Sequence, residues 1–278
     1  MLVSLHPSGT KPPLYFIHGL TGIMPLGRFF AESLGAEQPL YAINANGIKG
    51  NESSIPDEIS VKDMARGYVE EILSTNPSGP IFVAGMCAGA LAALEVAREL
   101  QTRGRELGPV ILADPPGVPQ GLVHQNQSVD AQDPAVTAQL YRRVRGQLLD
   151  HASQSYNDVP FAIHDQQELH TATLAGMSAL IAFCRHIPTT FSGGATAILS
   201  SRRAATFFHP QMHWANLLPK CQAHVLPYDH TEIFRSGRHH FIRTLKFVLE
   251  CATDFENRDE GSVGRSSRLT EELAHEFG

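Results

Sequence analysis

Ile81-Phe82-Val83-Ala84-Gly85-Met86-Cys87-Ala88-Gly89 decides how this chain is read. The first four residues are apolar throughout and rich in β-formers, as a buried strand should be. Ala88 to Arg103 reads as a helix closed by Gly104. Between strand and helix stands a G-x-Cys-x-G pentapeptide, the pattern of a nucleophile on a sharp, strained strand-to-helix turn. Such a turn needs small neighbours, and Gly85 and Gly89 relieve the crowding. The helix N-terminus beside Cys87 favours negative charge on the sulfur and on a substrate oxyanion. Taken alone, the pentapeptide fits a small buried hydrophobic cysteine equally well, so its surroundings must decide.

Outward from this stretch, strands alternate with helices. Leu14–Ile17, Pro39–Ile43 and Val110–Ala113 are further short apolar runs, and 195–199 and 223–226 follow later. Val61, Met64, Ala65, Tyr68, Val69, Ile72 and Leu73 recur at helical spacing behind Ser60, a suitable cap. Phe241, Leu245, Val248 and Leu249 mark a C-terminal helix. This alternation predicts an α/β fold with a mostly parallel, doubly wound sheet. Residues 118–192 break the rhythm. They hold helical pieces at 138–149 and 174–186 but no clear strand, and read as a helical lid insertion, with ordinary crossover helices as the alternative. One domain is expected over 1–253. A polar tail follows over 254–278, with a short helix at 270–276.

The ends of the strands supply the chemistry. The first apolar run ends in His18-Gly19-Leu20-Thr21-Gly22. In folds with this elbow, such a loop lies beside the nucleophile and donates one backbone N–H to the oxyanion. Leu20 is assigned that donor and Ala88 the second. His18 is expected to hold the loop's shape rather than to act as a base. Asp114 directly follows the strand Val110–Ala113, at the carboxyl end where sites are built. A solvated turn aspartate is the competing reading, since Pro115-Pro116-Gly117 follow. Against it, no Asp or Glu occurs between Glu168 and Asp229, so the other usual position for a catalytic acid, after 195–199, is empty. His230 follows the last strand and is the candidate base, with Asp114 fixing its tautomer. Asp229 adjoins His230 and is the rival acid. His209 and His213 are four apart but flank Pro210, and no HExxH occurs, so no metal is expected.

Composition narrows the class. The net charge is -6 with no long basic run, which argues against nucleic-acid binding. Cys87, Cys184, Cys221 and Cys251 form no CxxC pair, and reduced thiols in a cytoplasmic protein are expected. The N-terminus lacks the basic and apolar regions of a secretory signal, and no apolar run reaches the length of a membrane span.

The chain resembles the thioesterase domains of nonribosomal peptide and polyketide synthetases, which have the α/β-hydrolase fold. Pro12–His18, Gly79–Gly89 and 112–116 carry the resemblance, with Trp214 and Asp229-His230 fitting the C-terminal part. It covers roughly 1–120 and 195–250 and fades across the lid. By matching position the family implies Cys87 as nucleophile, Asp114 as acid and His230 as base. It implies no cofactor, and a substrate presented on the phosphopantetheine arm of an acyl or peptidyl carrier protein. The departure is Cys where most relatives have Ser. Acyl transfer to Cys makes another thioester, so the group stays activated for a thiol, an amine or ring closure, while water can still attack. The chain starts at Met1 with no carrier domain before it, which resembles a freestanding enzyme, with an excised domain as the alternative. The competing readings are a Cys-dependent small-ester or lactone hydrolase, which usually holds its acid after the later strand, and a non-catalytic binding protein of this fold, which would be expected to have lost a triad member.

Overall fold

Strands buried on both faces alternate not between apolar and polar residues but between two cores, and this chain is built that way. The computed structural model describes residues 1–45, 59–117, 133–153, 163–207, 209 and 214–256. Seven strands form one sheet: β1 (Leu2–His6), β2 (Leu14–Ile17), β3 (Leu40–Ile43), β4 (Phe82–Met86), β5 (Val110–Ala113), β6 (Ala195–Ser200) and β7 (Cys221–Leu226). Their order across the sheet is β1-β3-β2-β4-β5-β6-β7. All neighbours are parallel except β1, which runs antiparallel to β3.

Leu14 and Phe16 of β2, with Phe82, Ala84 and Met86 of β4, face a core closed by α1 (Arg28–Leu34) and the last helix. Tyr15, Ile17 and Val83 face the other core, under α2 (Val61–Thr75) and α3 (Gly89–Thr102). Two-sided cover explains why these runs carry no polar alternation.

The helix signals act as read. Ser60 accepts the Asp63 N–H and Asp63 accepts the Ser60 N–H, a capping box that starts α2. Gly104 ends α3 in the left-handed region at φ +71, and the N–H of Arg105 reaches the Leu100 carbonyl at 2.9 Å. Several elements differ from expectation: strand 81–84 runs over Phe82–Met86, strand 223–226 over Cys221–Leu226, and the helical pieces 138–149 and 174–186 extend to Pro134–Ser153 and Gln166–Arg185. The helix after Cys87 begins at Gly89, with Ala88 as its N-cap, because the strained turn occupies one more residue. The β1 strand was not read from the sequence: at a sheet edge its residues are half-buried and mixed in polarity. The C-terminal helix continues past residue 253 to Glu256.

The stretch between β5 and β6 is helical where described, as α4 (Pro134–Ser153) and α5 (Gln166–Arg185). Gly176 of α5 packs against the loop after β2, since a Cβ there would press on the Thr21 carbonyl at 2.7 Å. These helices therefore sit at the carboxyl edge of the sheet. Residues 118–132 and 154–162 of the expected lid, and the expected tail helix at 270–276, lie outside the described residues. Two short helices follow β6, α6 (Ser201–Phe207) and α7 (Trp214–Leu217), and α8 (Arg238–Glu256) closes the fold. Among the described residues, no helix is long and apolar enough to cross a membrane.

His18, at the end of β2, is fully buried. Its Nδ1 meets the Gly19 carbonyl at 2.6 Å and its Nε2 the Tyr68 hydroxyl at 2.7 Å. Burial pushes its pKa from 6.5 down to about 4, against the hydrogen bond the ring donates to the Gly19 carbonyl. Below 6.5 the unfolded chain therefore binds a proton that the folded chain refuses until about pH 4. Its contribution to stability is full above 6.5 and declines as pH falls through that window, by at most about 1.4 kcal/mol per pH unit. Denaturant unfolding of wild type and His18→Gln between pH 7 and 4 should show a shallower decline in the variant. Parallel curves would contradict this account of His18.

Candidate active site

The turn after β4 is held where the sequence placed it. Cys87 has φ +51, a left-handed conformation that a non-glycine residue adopts at a cost of about 1–3 kcal/mol. Close approach explains the two glycines. A Cβ on Gly85 would overlap the Gly89 carbonyl, and one on Gly89 would overlap the carbonyl of His18. The Cys87 N–H donates to Ala113 O at 2.8 Å, which ties this turn to the neighbouring strand β5.

Asp114 is the next residue on that strand. It also has φ +51, and it is 0% exposed. A carboxylate buried so deeply needs donors. Ser200, at the end of β6, supplies two: its N–H donates to Oδ1 at 2.6 Å and its hydroxyl to Oδ2 at 3.0 Å. The following loop is pinned by Trp214, whose Nε1 donates to Pro116 O at 2.8 Å. Ser200 was not singled out in the sequence. The available signal was position, because it ends the very strand after which no acid occurs.

His230 completes the row. The loop that carries it is fastened to the end of β6 by the Ser201 N–H, which donates to Tyr228 O at 3.0 Å. Its Nδ1 lies 2.5 Å from Asp114 Oδ2, and the Phe234 ring meets it edge-on at 6.2 Å. Partial burial lowers the pKa of this ring. Hydrogen bonding of the ring to Asp114 and to Cys87, and the negative charge each can carry, outweigh that and raise it from 6.5 to about 9. The ring is 34% exposed, so its proton can exchange with solvent. Asp229, the rival acid, is exposed, and its N–H is capped by Glu232. The carboxylate that reaches His230 comes from Asp114, 116 residues away in sequence.

Gly19, Leu20 and Thr21 of the loop after β2 border the same chamber as Cys87 and His230. Among the described residues, the N–H groups of Leu20 and Ala88 have no hydrogen-bond partner; Leu20 borders the chamber, and Ala88 directly follows Cys87 in the chain without bordering the chamber. His18 has both ring nitrogens engaged behind this loop and does not border the chamber. The other cysteines, Cys184, Cys221 and Cys251, form no disulfide and do not border the chamber. Burial raises the thiol pKa of Cys184 and lifts that of Cys221 to about 11. No group of three or more His, Cys, Asp or Glu side chains fit to hold a metal occurs among the described residues, and His213 lies outside them.

The arrangement can move a proton from a thiol to an imidazole whose other nitrogen is fixed by a carboxylate, with two backbone N–H groups unpartnered among the described residues. Comparison with known proteins points the same way. Residues 12–247 match the family model described as Thioesterase domain. Chondramide synthase of Chondromyces crocatus is 40% identical over 119 residues, 42% of this chain and 3% of that protein. Indigoidine synthase of Dickeya dadantii is 31% identical over 153 residues, 54% of this chain and 10% of that protein. The chain thus spans only a small part of the curated relatives it matches. Among solved structures, the NocB thioesterase domain in covalent complex with a fluorophosphonate nocardicin G analog superposes with a TM-score of 0.66. It is 20% identical and covers 90% of this chain and 99% of the other. The surfactin thioesterase domain SrfTE gives 0.60 at 15% identity, covering 90% and 94%. At these identities the two structures speak for the fold.

The raised pKa of His230 gives a pH dependence with a definite sign. A ring that holds its proton up to about 9 can hand it to a departing thiol below that pH and not above it. Single-turnover acylation by a thioester should therefore fall as pH rises through about 9. In Asp114→Asn the limb should move toward 6.5, because the carboxylate that raises the ring is gone. A limb unmoved by Asp114→Asn would contradict the reading of this contact.

Proposed function

The chain belongs to the thioesterase-domain family, and we propose that it takes an acyl, aminoacyl or peptidyl group from a phosphopantetheinyl carrier protein onto Cys87, then releases, cyclises or transfers it in nonribosomal peptide or polyketide biosynthesis. The observation that carries this reading is the contact of His230 with Asp114 at a chamber that Cys87, His230 and Leu20 all border. The substrate is an acyl thioester on a pantetheine arm, the partner a carrier protein and the setting the cytoplasm, where free thiols persist. No resident cofactor is required.

The proposed chemistry balances with these groups alone. His230 takes the thiol proton through Nε2 while Asp114 holds Nδ1. Cys87 Sγ adds to the thioester carbonyl, and the oxyanion is met by the N–H groups of Ala88 and Leu20. The tetrahedral species collapses and breaks the bond to the carrier's sulfur, which leaves with the proton from His230. An acceptor then repeats the cycle in reverse, losing its proton to His230 as it attacks the acyl-Cys87 thioester. One thioester is exchanged for another in the first half, so little free energy is lost. The small-ester or lactone hydrolase reading lacks support, since the end of β6 holds Ser200, bonded to Asp114, and no acid follows it before Asp229.

Intact-protein mass spectrometry after mixing with an acylated carrier should show an adduct that Cys87→Ala abolishes and that changes at Cys184, Cys221 or Cys251 leave in place. An adduct persisting in Cys87→Ala would overturn the nucleophile. A second, unloaded carrier separates transfer from hydrolysis. Wild type should place the acyl group on that carrier, or yield cyclised product, faster than it releases free acid, and Cys87→Ser should shift the balance toward free acid. Steady release of free acid by wild type, unaffected by added acceptor, would make it a plain hydrolytic thioesterase.

A further inference from the structure

The chamber that Cys87 opens into has a size and a charge that restrict the acyl group. Its volume is about 170 Å³, close to the ~150 Å³ of a cavity that holds one benzene ring. Leu26, Phe29, Phe30, Phe234, Phe241 and Ile242 give it an apolar wall. Phe30, Phe234 and Phe241 pack on one another, with ring centroids 5.1 and 6.2 Å apart, and offer ring faces and edges to an occupant. Exposed Thr231 also borders the chamber, where its mouth meets solvent.

Apart from the reacting Cys87 itself, the charged and ionisable side chains on this wall are cationic. Arg235 and Arg238 border the chamber together with His230, and among the described residues no Asp or Glu does. Arg235 is paired with Asp150 of α4 at 2.9 Å. Arg238 has no such partner. Its guanidinium lies 4.5 Å from the centroid of the Phe29 ring, stacked on the wall, and its side chain forms no hydrogen bond or ion pair among the described residues. A free α-ammonium on the acyl group would enter this cationic chamber with no carboxylate to meet it. The same group capped as an amide would carry no charge to oppose.

We propose that this chamber selects an acyl unit with a compact aromatic or branched apolar side chain and no free ammonium: an acyl group, or a peptidyl group whose amine is already in an amide bond, rather than a free aminoacyl group. The inference rests on Cys87 as nucleophile and names the substrate class of that site. Apolar burial draws in the side chain, and Arg238 works against the ammonium through an electrostatic term that falls off with solvent exposure.

The test is loading of Cys87 by N-acetylcysteamine thioesters at pH 6.5, where an α-amine is mostly protonated, followed by intact-protein mass spectrometry. The panel is 3-phenylpropionyl, N-acetylphenylalanyl, phenylalanyl and hexadecanoyl. The first two should load at least about tenfold faster than phenylalanyl, a ratio in keeping with like charge at a partly solvated site. Hexadecanoyl should also load more slowly than 3-phenylpropionyl. Arg238→Gln should narrow the gap between N-acetylphenylalanyl and phenylalanyl, and Arg238→Glu should narrow it further. Phenylalanyl loading as fast as its N-acetyl form, or a gap unmoved by Arg238→Glu, would overturn the charge selection. Hexadecanoyl keeping pace with 3-phenylpropionyl would overturn the size limit. Loading of Cys87 by no member of the panel would instead overturn the nucleophile assignment beneath it.

Discussion

A carboxylate with no access to water is the constraint on which the site depends. Asp114 is fully buried, and removing an ionised group from water costs several kcal/mol unless donors replace the lost hydration. Ser200 provides an N–H and a hydroxyl, and His230 provides its ring. These partners come from different segments, so the contact fixes more than a side chain. The sheet order makes it geometrically available. β4, β5 and β6 are parallel neighbours, so Cys87, Asp114 and Ser200 stand in a row at their carboxyl ends, and β7 delivers His230 alongside. Backbone bonds lock adjacent members of the row, from Cys87 to Ala113 and from Asp114 to Ile198. Two residues of this row, Cys87 and Asp114, hold the left-handed conformation. Strain gathered at neighbouring turns persists only where the surrounding packing over-determines it, and here both turns lie between buried strands.

The proposed chemistry follows from what this row does to a proton. A carboxylate at one ring nitrogen, and negative charge on the Cys87 sulfur when it is a thiolate, both favour the protonated ring, and they outweigh the opposing effect of burial. An imidazole that keeps the thiol proton leaves sulfur as the stronger nucleophile. Serine at the same turn would need its proton removed only as the bond forms, and the resulting ester would be less activated than the thioester it came from. In the proposed reaction, cysteine at residue 87 bears on the fate of the acyl group more than on its capture, while the proposed selection of that group rests with the wall of the chamber.

Much of this was legible in the sequence because the decisive features are local. The apolar run before Gly85, the small residues around Cys87 and the helix after it are neighbours in the chain, and their spacing encodes the turn. Asp114 was legible by elimination, from the acid-free stretch between Glu168 and Asp229. What escaped notice depends on tertiary contact. Ser200 carries no local mark of a role, since its partner lies 86 residues away. The β1 strand escaped because an edge strand is half-buried, and a mixed pattern of five residues resembles a loop. The cationic wall of the chamber joins the N-terminal turn of α8 to α1 and the loop after β2, and no sequence periodicity links those positions.

The central claim is that Asp114 holds a protonated His230 beside Cys87. A titration of the ¹⁵N-labelled imidazoles by NMR, with His230 assigned through His230→Gln, tests it most directly. The account predicts that the His230 ring titrates near 9 in wild type and moves well down toward 6.5 in Asp114→Asn. A ring that titrates near 6.5 in wild type and is indifferent to Asp114→Asn would contradict it.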